Sequence, residues 1–192
     1  PERITVSANA FTAVVEAMQA LLKNRSGLQD VFVGPLDDSG AREADLVLFL
    51  YRITVDAELR NVGHELPATQ GANAAANLIE GAMPLQLHFL LTAGNRDTGG
   101  ELAALGKLGR AIQIFNDTSV ISGPSLGPDP VHISFDPLSS EELSRIWSLF
   151  PTVNFRTSVA YLATPVWIDP ASMEEPAPRV VDDRHGYRAR AL

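Results

Sequence analysis

Three stretches of the chain carry residue types that could do chemistry. Gly123-Pro124-Ser125-Leu126-Gly127 has the G-x-S-x-G spacing of a nucleophile elbow, in which a sharp strand-to-helix turn lifts a serine for acyl transfer. With His132 as its base, Ser125 would make the protein a small hydrolase. Pro128-Asp129-Pro130 follows at once, however, and prolines there oppose the helix start that an oxyanion hole requires. Gly94-Asn95-Arg96-Asp97-Thr98-Gly99 sits where a phosphate loop would sit, but the lysine and hydroxyl residue of such a loop are replaced by Gly100-Glu101. Glu101 would repel a phosphate while it meets the helix dipole favourably. The four histidines, His64, His88, His132 and His185, include no two at a metal-ligand spacing. With no cysteine, thiol catalysis and disulfides are excluded. The residues therefore point to no catalytic, cofactor-binding or metal site. Both glycine stretches read as turns, and His88 reads as a hydrogen-bonded structural residue.

Arg52 and Arg60 are candidates of another kind. They are eight positions apart, so an unbroken strand would set both side chains on one face. On a chain of formal charge −8 they are either two solvated arginines, as surface charges commonly are, or an electropositive patch. The planar fork of arginine suits such a patch to a carboxylate on a neighbouring chain.

The elements that position these residues follow from periodicity. Leu85, Leu87, Phe89 and Leu91 alternate with more polar residues, which predicts a central strand over Leu85–Ala93. Leu102, Leu105, Leu108, Ile112 and Phe115 then recur at helical steps. Gly106 and Gly109 inside that helix read either as close packing on a neighbour or as merely tolerated glycines. Before the central strand lie a helix with the stripe Phe11, Val14, Val15, Met18, Leu21 and Leu22, capped by Ser7 or Asn9, and a short strand Val31–Val33. The strand Leu46–Val55 follows; its first half is apolar on both faces and needs cover on both. Arg60 to Met83 has no strong period and reads as a long loop or extended hairpin. Ser122 to Pro130 reads as irregular, followed by a strand Val131–Phe135. Ser139 and Glu142 have capping-box spacing ahead of Leu143, Ile146, Trp147 and Phe150. A last strand spans Arg156–Ile168, with an edge or bulge at Pro165. The expected architecture is α+β: a mixed, mainly antiparallel sheet with about three flanking helices, one domain over 1–169, and an extended tail or arm over 170–192.

A chain of 192 residues buries roughly 70% of its unfolded surface and needs no metal to fold. The acidic balance argues against nucleic acid and anionic membranes as partners. No apolar run reaches the length of a membrane span, and the N-terminus lacks a signal pattern.

Several local patterns line up in order: Tyr51-Arg52-Ile53-Thr54, Leu59-Arg60-Asn61, Leu85 to Ala93, Leu108-Gly109-Arg110-Ala111, Leu143-Ser144-Arg145-Ile146-Trp147 and Thr157-Ser158-Val159-Ala160-Tyr161. In this order and spacing the chain resembles the N-terminal domain of the cap, or tail-terminator, proteins of phage-tail-like contractile injection systems, over roughly Ala8 to Ile168. The resemblance implies a structural protein without catalytic residues. It implies a ring, a hexamer, that closes the baseplate-distal end of an inner tube and sheath. The tube and sheath proteins and further copies of the chain would be its partners. Assembly would take place in the bacterial cytoplasm, with an extracellular location where the particle is released. An adaptor in another phage-like assembly is the other structural reading.

Overall fold

The computed structural model describes residues 9–26, 28, 30–66, 77–79, 81–94 and 100–170. Its centre is the strand expected around Phe89. β5 (Met83–Ala93) pairs antiparallel on one side with β2 (Leu46–Val55) and on the other with β8 (Ser158–Ile168). β1 (Val31–Val33) adds to β2 in parallel, while β7 (Gly127–Phe135) and then β6 (Val120–Gly123) continue antiparallel from β8. The six-stranded order is β1-β2-β5-β8-β7-β6. This is the expected α+β fold with a mixed, mainly antiparallel sheet.

Helices cover the sheet unequally. α1 (Ala10–Ser26) and α3 (Gly100–Asp117) lie on one face. Their Val14, Met18, Leu22, Leu108, Ala111 and Phe115 pack with Leu46, Leu48, Leu87, Phe89 and Tyr161. The other face carries α2 (Ser39–Glu43) and α4 (Ser140–Ser148). There Ala41, Trp147 and Phe150 pack against Val47 and Leu90. The unbroken apolar run at the start of β2 is thus covered by helices on both sides. The capping box forms as its spacing predicts: the Glu142 N–H donates to Ser139 Oγ at 3.2 Å, and the Ser139 N–H donates to Glu142 Oε2 at 2.9 Å.

The described residues hold four helices, in keeping with the expectation of about three; α2 is a five-residue helix capped by Asp38, too short for a periodic signal. Several other expectations are corrected. Leu102 and Leu105 are exposed, Leu102 by 84%, because α3 buries residues only from Leu108 onward. Gly106 and Gly109 lie on the solvent side of α3, where an added Cβ would meet nothing, so they mark no close packing. Gly94 is the glycine that close approach requires, since a Cβ there would collide with the Ala44 carbonyl oxygen. The stretch from Ser122 to Pro130 is a hairpin, β6 to β7, turning through a 3-10 turn at Pro124–Leu126. Pro128 and Pro130 fall outside its regular pairs, where a missing N–H does no harm. Pro165 sits in a register slip between Leu85 and Leu87 on β5, so the bulge, not an edge, accommodates it.

The excursion after Arg60 holds a hairpin of β3 (His64–Leu66) and β4 (Asn77–Ile79), paired antiparallel outside the main sheet. Residues 67–76 of that excursion, 95–99 of the glycine loop, Ser7, His185 and 171–192 of the expected tail lie outside the described residues.

Candidate functional site

The sequence candidates meet different fates. Ser125 lies in the turn between β6 and β7, exposed, while His132 lies on β7 paired with Val120 and Thr164. Five residues of extended chain separate Gly127 from His132, roughly 16 Å at about 3.3 Å per residue, so the fold keeps Ser125 and His132 apart. No helix follows Ser125, and the elbow is absent. Among the described residues no group of three or more His, Cys, Asp or Glu is placed to hold a metal ion, and no helix is long and apolar enough to cross a membrane.

Arg52 and Arg60 do not lie on one unbroken strand. β2 ends at Val55, and Arg60 stands exposed in the turn that follows. A bulge also intervenes: Leu50 pairs with Phe89 and Arg52 with His88, leaving Tyr51 as the extra residue. The bulge reverses the parity of the strand. Leu46, Leu48 and Leu50 face the α1/α3 layer, but beyond Tyr51 that face passes to the odd positions Ile53 and Val55. Arg52 therefore turns to the opposite face and does not interrupt the apolar one.

There Arg52 joins a polar cluster on the α4 face of the sheet, around the buried His88. His88 Nδ1–H donates to Asp136 Oδ2 at 2.7 Å, and Tyr51 Oη donates to the same oxygen at 2.8 Å. Thr54 Oγ1 stands 2.9 Å from His88 Nε2, and the Arg52 guanidinium lies 3.2 Å from Nδ1 and over the Tyr51 ring. Burial pushes the Asp136 carboxyl up, but the bonds from His88 and Tyr51 outweigh it and hold the group below its usual range. Burial and the bond to Asp136 push the Tyr51 phenol well above its ordinary value. Beside this cluster, burial raises the Asp56 carboxyl, and bonds from Gln86, the Leu59 and Glu58 amides and Thr164 more than reverse it. Hydroxyl, imidazole and carboxylate are connected in the order of an acyl-transfer triad. The hydroxyl, however, belongs to a residue paired with Gln86 in a flat ladder, and it also donates to Gln86 Oε1 at 3.3 Å. The cluster therefore reads as a structural network, with His88 hydrogen-bonded as its place on the strand predicts.

A second cluster had no signal in the sequence. His64, 1% exposed, stands with Nε2 2.5 Å from Asp129 Oδ2 and Nδ1 2.9 Å from Asp169 Oδ1. Its ring stacks on Trp167 at 4.6 Å and 9°. The cluster ties the root of the β3–β4 hairpin to the ends of β7 and β8, where the chain leaves the sheet at Pro170. His64 and its partners are 65 and 105 positions apart, so no local pattern marks them.

A family model, the Pvc16 N-terminal domain, matches residues 13–182, most of the chain. The chain belongs to the Pvc16 N-terminal domain family. Among solved structures, the same fold occurs in the sheath/tube terminator, in its extended state, of PVC, an extracellular contractile injection system. The TM-score is 0.62 at 19% identity, over 97% of this chain and 65% of that one. It occurs also in the tube-terminating cap of the anti-feeding prophage, with a TM-score of 0.60 at 19% identity, over 90% of this chain and 61% of that one. The chain thus spans about two thirds or less of the length of those two proteins. No curated protein matches it.

Proposed function

We propose that this chain is a structural cap, the terminator that closes the baseplate-distal end of the tube and sheath of a contractile injection particle. The observation that carries this reading is a likeness of fold to two tube terminators that spans at least 90% of the chain. In this reading the chain forms a hexameric ring, contacts the tube and sheath proteins, and performs no catalysis. It assembles in the bacterial cytoplasm and leaves the cell with any particle that is released. One domain over 1–169 carries the ring, and the tail over 170–192 reaches a neighbour. Arg52 and Arg60 face carboxylates on adjoining chains, Arg60 the more freely, since Arg52 already leans on His88. A terminator must match one exposed tube end and offer no continuing surface beyond it, and a closed ring of heterologous contacts meets both demands.

The test is electron microscopy of particles from cells with and without the chain. Tubes of uniform length with a six-fold density at one end are expected when it is present, and overlong or frayed tubes when it is deleted. Uniform tubes in the deletion strain overturn the reading. Ser125→Ala checks the hydrolase alternative: particles should form normally, and labelling of Ser125 by a serine-directed probe would contradict a purely structural role.

A further inference from the structure

The two edges of the main sheet differ in what closes them. β1 covers β2 only at Leu46–Leu48. Its own outer edge is blunted, because Gln19 of α1 donates from Nε2 to the Val31 carbonyl at 2.6 Å and Gly34-Pro35 follows. Past Leu48, β2 runs on to Val55 with β5 on one side and, among the described residues, no strand on the other. Backbone direction alternates along a strand, and the Asp56 N–H donates to the Pro84 carbonyl. The N–H and C=O groups of Ile53 and Val55 therefore point away from β5, beside side chains that are 43% and 40% exposed. At the opposite edge, β6 pairs, among the described residues, with β7 alone. The Ser119 carbonyl accepts from the Ile133 N–H, so Val120 and Ser122 turn their backbone groups outward, Val120 with its side chain 42% exposed.

These two open edges belong to opposite sides of one sheet, and the pairing order makes β2 and β6 run in the same direction. They also lie at one level. Val120 pairs with His132 and His132 with Thr164, which sits in the slip opposite Gln86, the partner of Thr54. Charge complements the geometry. Asp117 is exposed just before β6, and Arg52 and Arg60 flank the open end of β2. On an acidic chain, whose copies repel over most of their surface, this is a pairing of opposite signs.

We propose that the β6 edge of one copy adds in parallel to the open edge of β2 on a second copy, so that successive subunits share a continuous sheet. Resting on the ring reading above, this contact is head-to-tail, and such contacts generate rings when their rotation closes. It consumes both open edges of every subunit.

The absence of cysteine makes the contact testable by disulfide trapping. Single variants Ile53→Cys, Val55→Cys, Val120→Cys and Ser122→Cys are assembled on particles, and each β2 variant is mixed with each β6 variant before mild oxidation. Neighbouring strands about 4.8 Å apart suit disulfide geometry. The expected result is a dimer band in at least one mixture and none in the single variants. A chain carrying both cysteines of that pair should give a ladder up to the full ring. Rings seen by mass measurement with no mixed disulfide in any combination overturn the proposal and leave the ring reading standing. Disulfides within a single variant overturn it too, as does a cysteine-directed crosslinker that joins the Ile53→Cys or Val120→Cys variant to a tube or sheath protein instead. A strict monomer, both free and on particles, overturns the ring reading itself. As a second measure, Ser122→Pro removes an outward N–H while sparing the β6–β7 ladder. It should keep the wild-type melting temperature and lower ring occupancy at least tenfold; unchanged occupancy contradicts the proposal.

Discussion

Replacing His64 with leucine should destabilise the domain by about 3–5 kcal/mol, and the figure follows from how unequally its two partners are exposed. The Asp169 side chain is 1% exposed and the Asp129 side chain 34%. Asp129 can turn to water when its partner goes, so that bond is worth about 0–1 kcal/mol, as for surface pairs. Asp169 cannot, and removing one partner of a buried pair costs about 3–5 kcal/mol because the remaining charge stays desolvated. Asp169 keeps further contacts, which favours the lower part of that range. The lost stack on Trp167 adds about 0.5–1.5 kcal/mol, partly recovered by leucine packing in the same space. The assay is urea unfolding at pH 7 followed by tryptophan fluorescence and, independently, by circular dichroism. With a slope of about 2 kcal/mol per molar urea, the midpoint should fall by roughly 2 M. Asp169→Asn should approach that loss, Asp129→Asn should stay under about 1 kcal/mol, and the effects of His64→Leu and Asp169→Asn should not add, since both act on one network. Equal losses for the two aspartate variants, or a His64→Leu loss below about 1 kcal/mol, would refute the reasoning from burial.

Phe89 is fully buried at the centre of β5 and Trp147 is the residue of α4 buried against the sheet, so truncation of either to alanine should cost about 3–5 kcal/mol in the same unfolding assay. Gly106→Ala and Gly109→Ala, both on the open side of α3, should each raise stability by about 0.5–1 kcal/mol. The folded-state carboxyl of Asp136 titrates low, so its contribution is complete above the unfolded carboxylate value of about 3.9 and is lost as pH falls through the lower folded value. The stability gap between wild type and Asp136→Asn should therefore be smaller at pH 2.5 than at pH 7; a constant gap would contradict the assignment. Arg60→Glu should weaken cap attachment, measured as occupancy on tubes, without moving the melting temperature, while Arg52→Glu also sets a second carboxylate near Asp136 and should cost about 1 kcal/mol of stability.

The sheet core was legible because its strands carry their own period. Phe89, Leu87 and Leu91 alternate cleanly, and the Ser139/Glu142 box announces α4. The bulge at Tyr51 was hidden, because Leu46 to Tyr51 is apolar at every position and the odd positions stay apolar through Val55, so no change of phase shows until the pairing with β5 is known. β6 escaped because four residues are too few to show alternation beside Gly123-Pro124, and Leu102 misled because periodicity finds the stripe of a helix without finding how far its neighbours extend. The two polar clusters were illegible for a simpler reason. Tyr51 meets Asp136 across 85 positions and His64 meets Asp169 across 105, contacts that exist only once the sheet has formed.

The place of β8 in the sheet governs the order in which the molecule can be built. β8 follows every other described strand in sequence, yet it inserts between β5 and β7, joining two halves that otherwise share no strand pairing. While residues 158–168 remain inside the ribosome, β1, β2 and β5 form one incomplete sheet and the β6–β7 hairpin another. Such long-range closure is slow, because distant segments must meet before they are rewarded. A nascent chain therefore has no finished sheet to present to a partner. In the cap reading proposed above, competence to stop polymerisation arrives only with the complete domain, which protects a half-made particle from being sealed by a half-made cap.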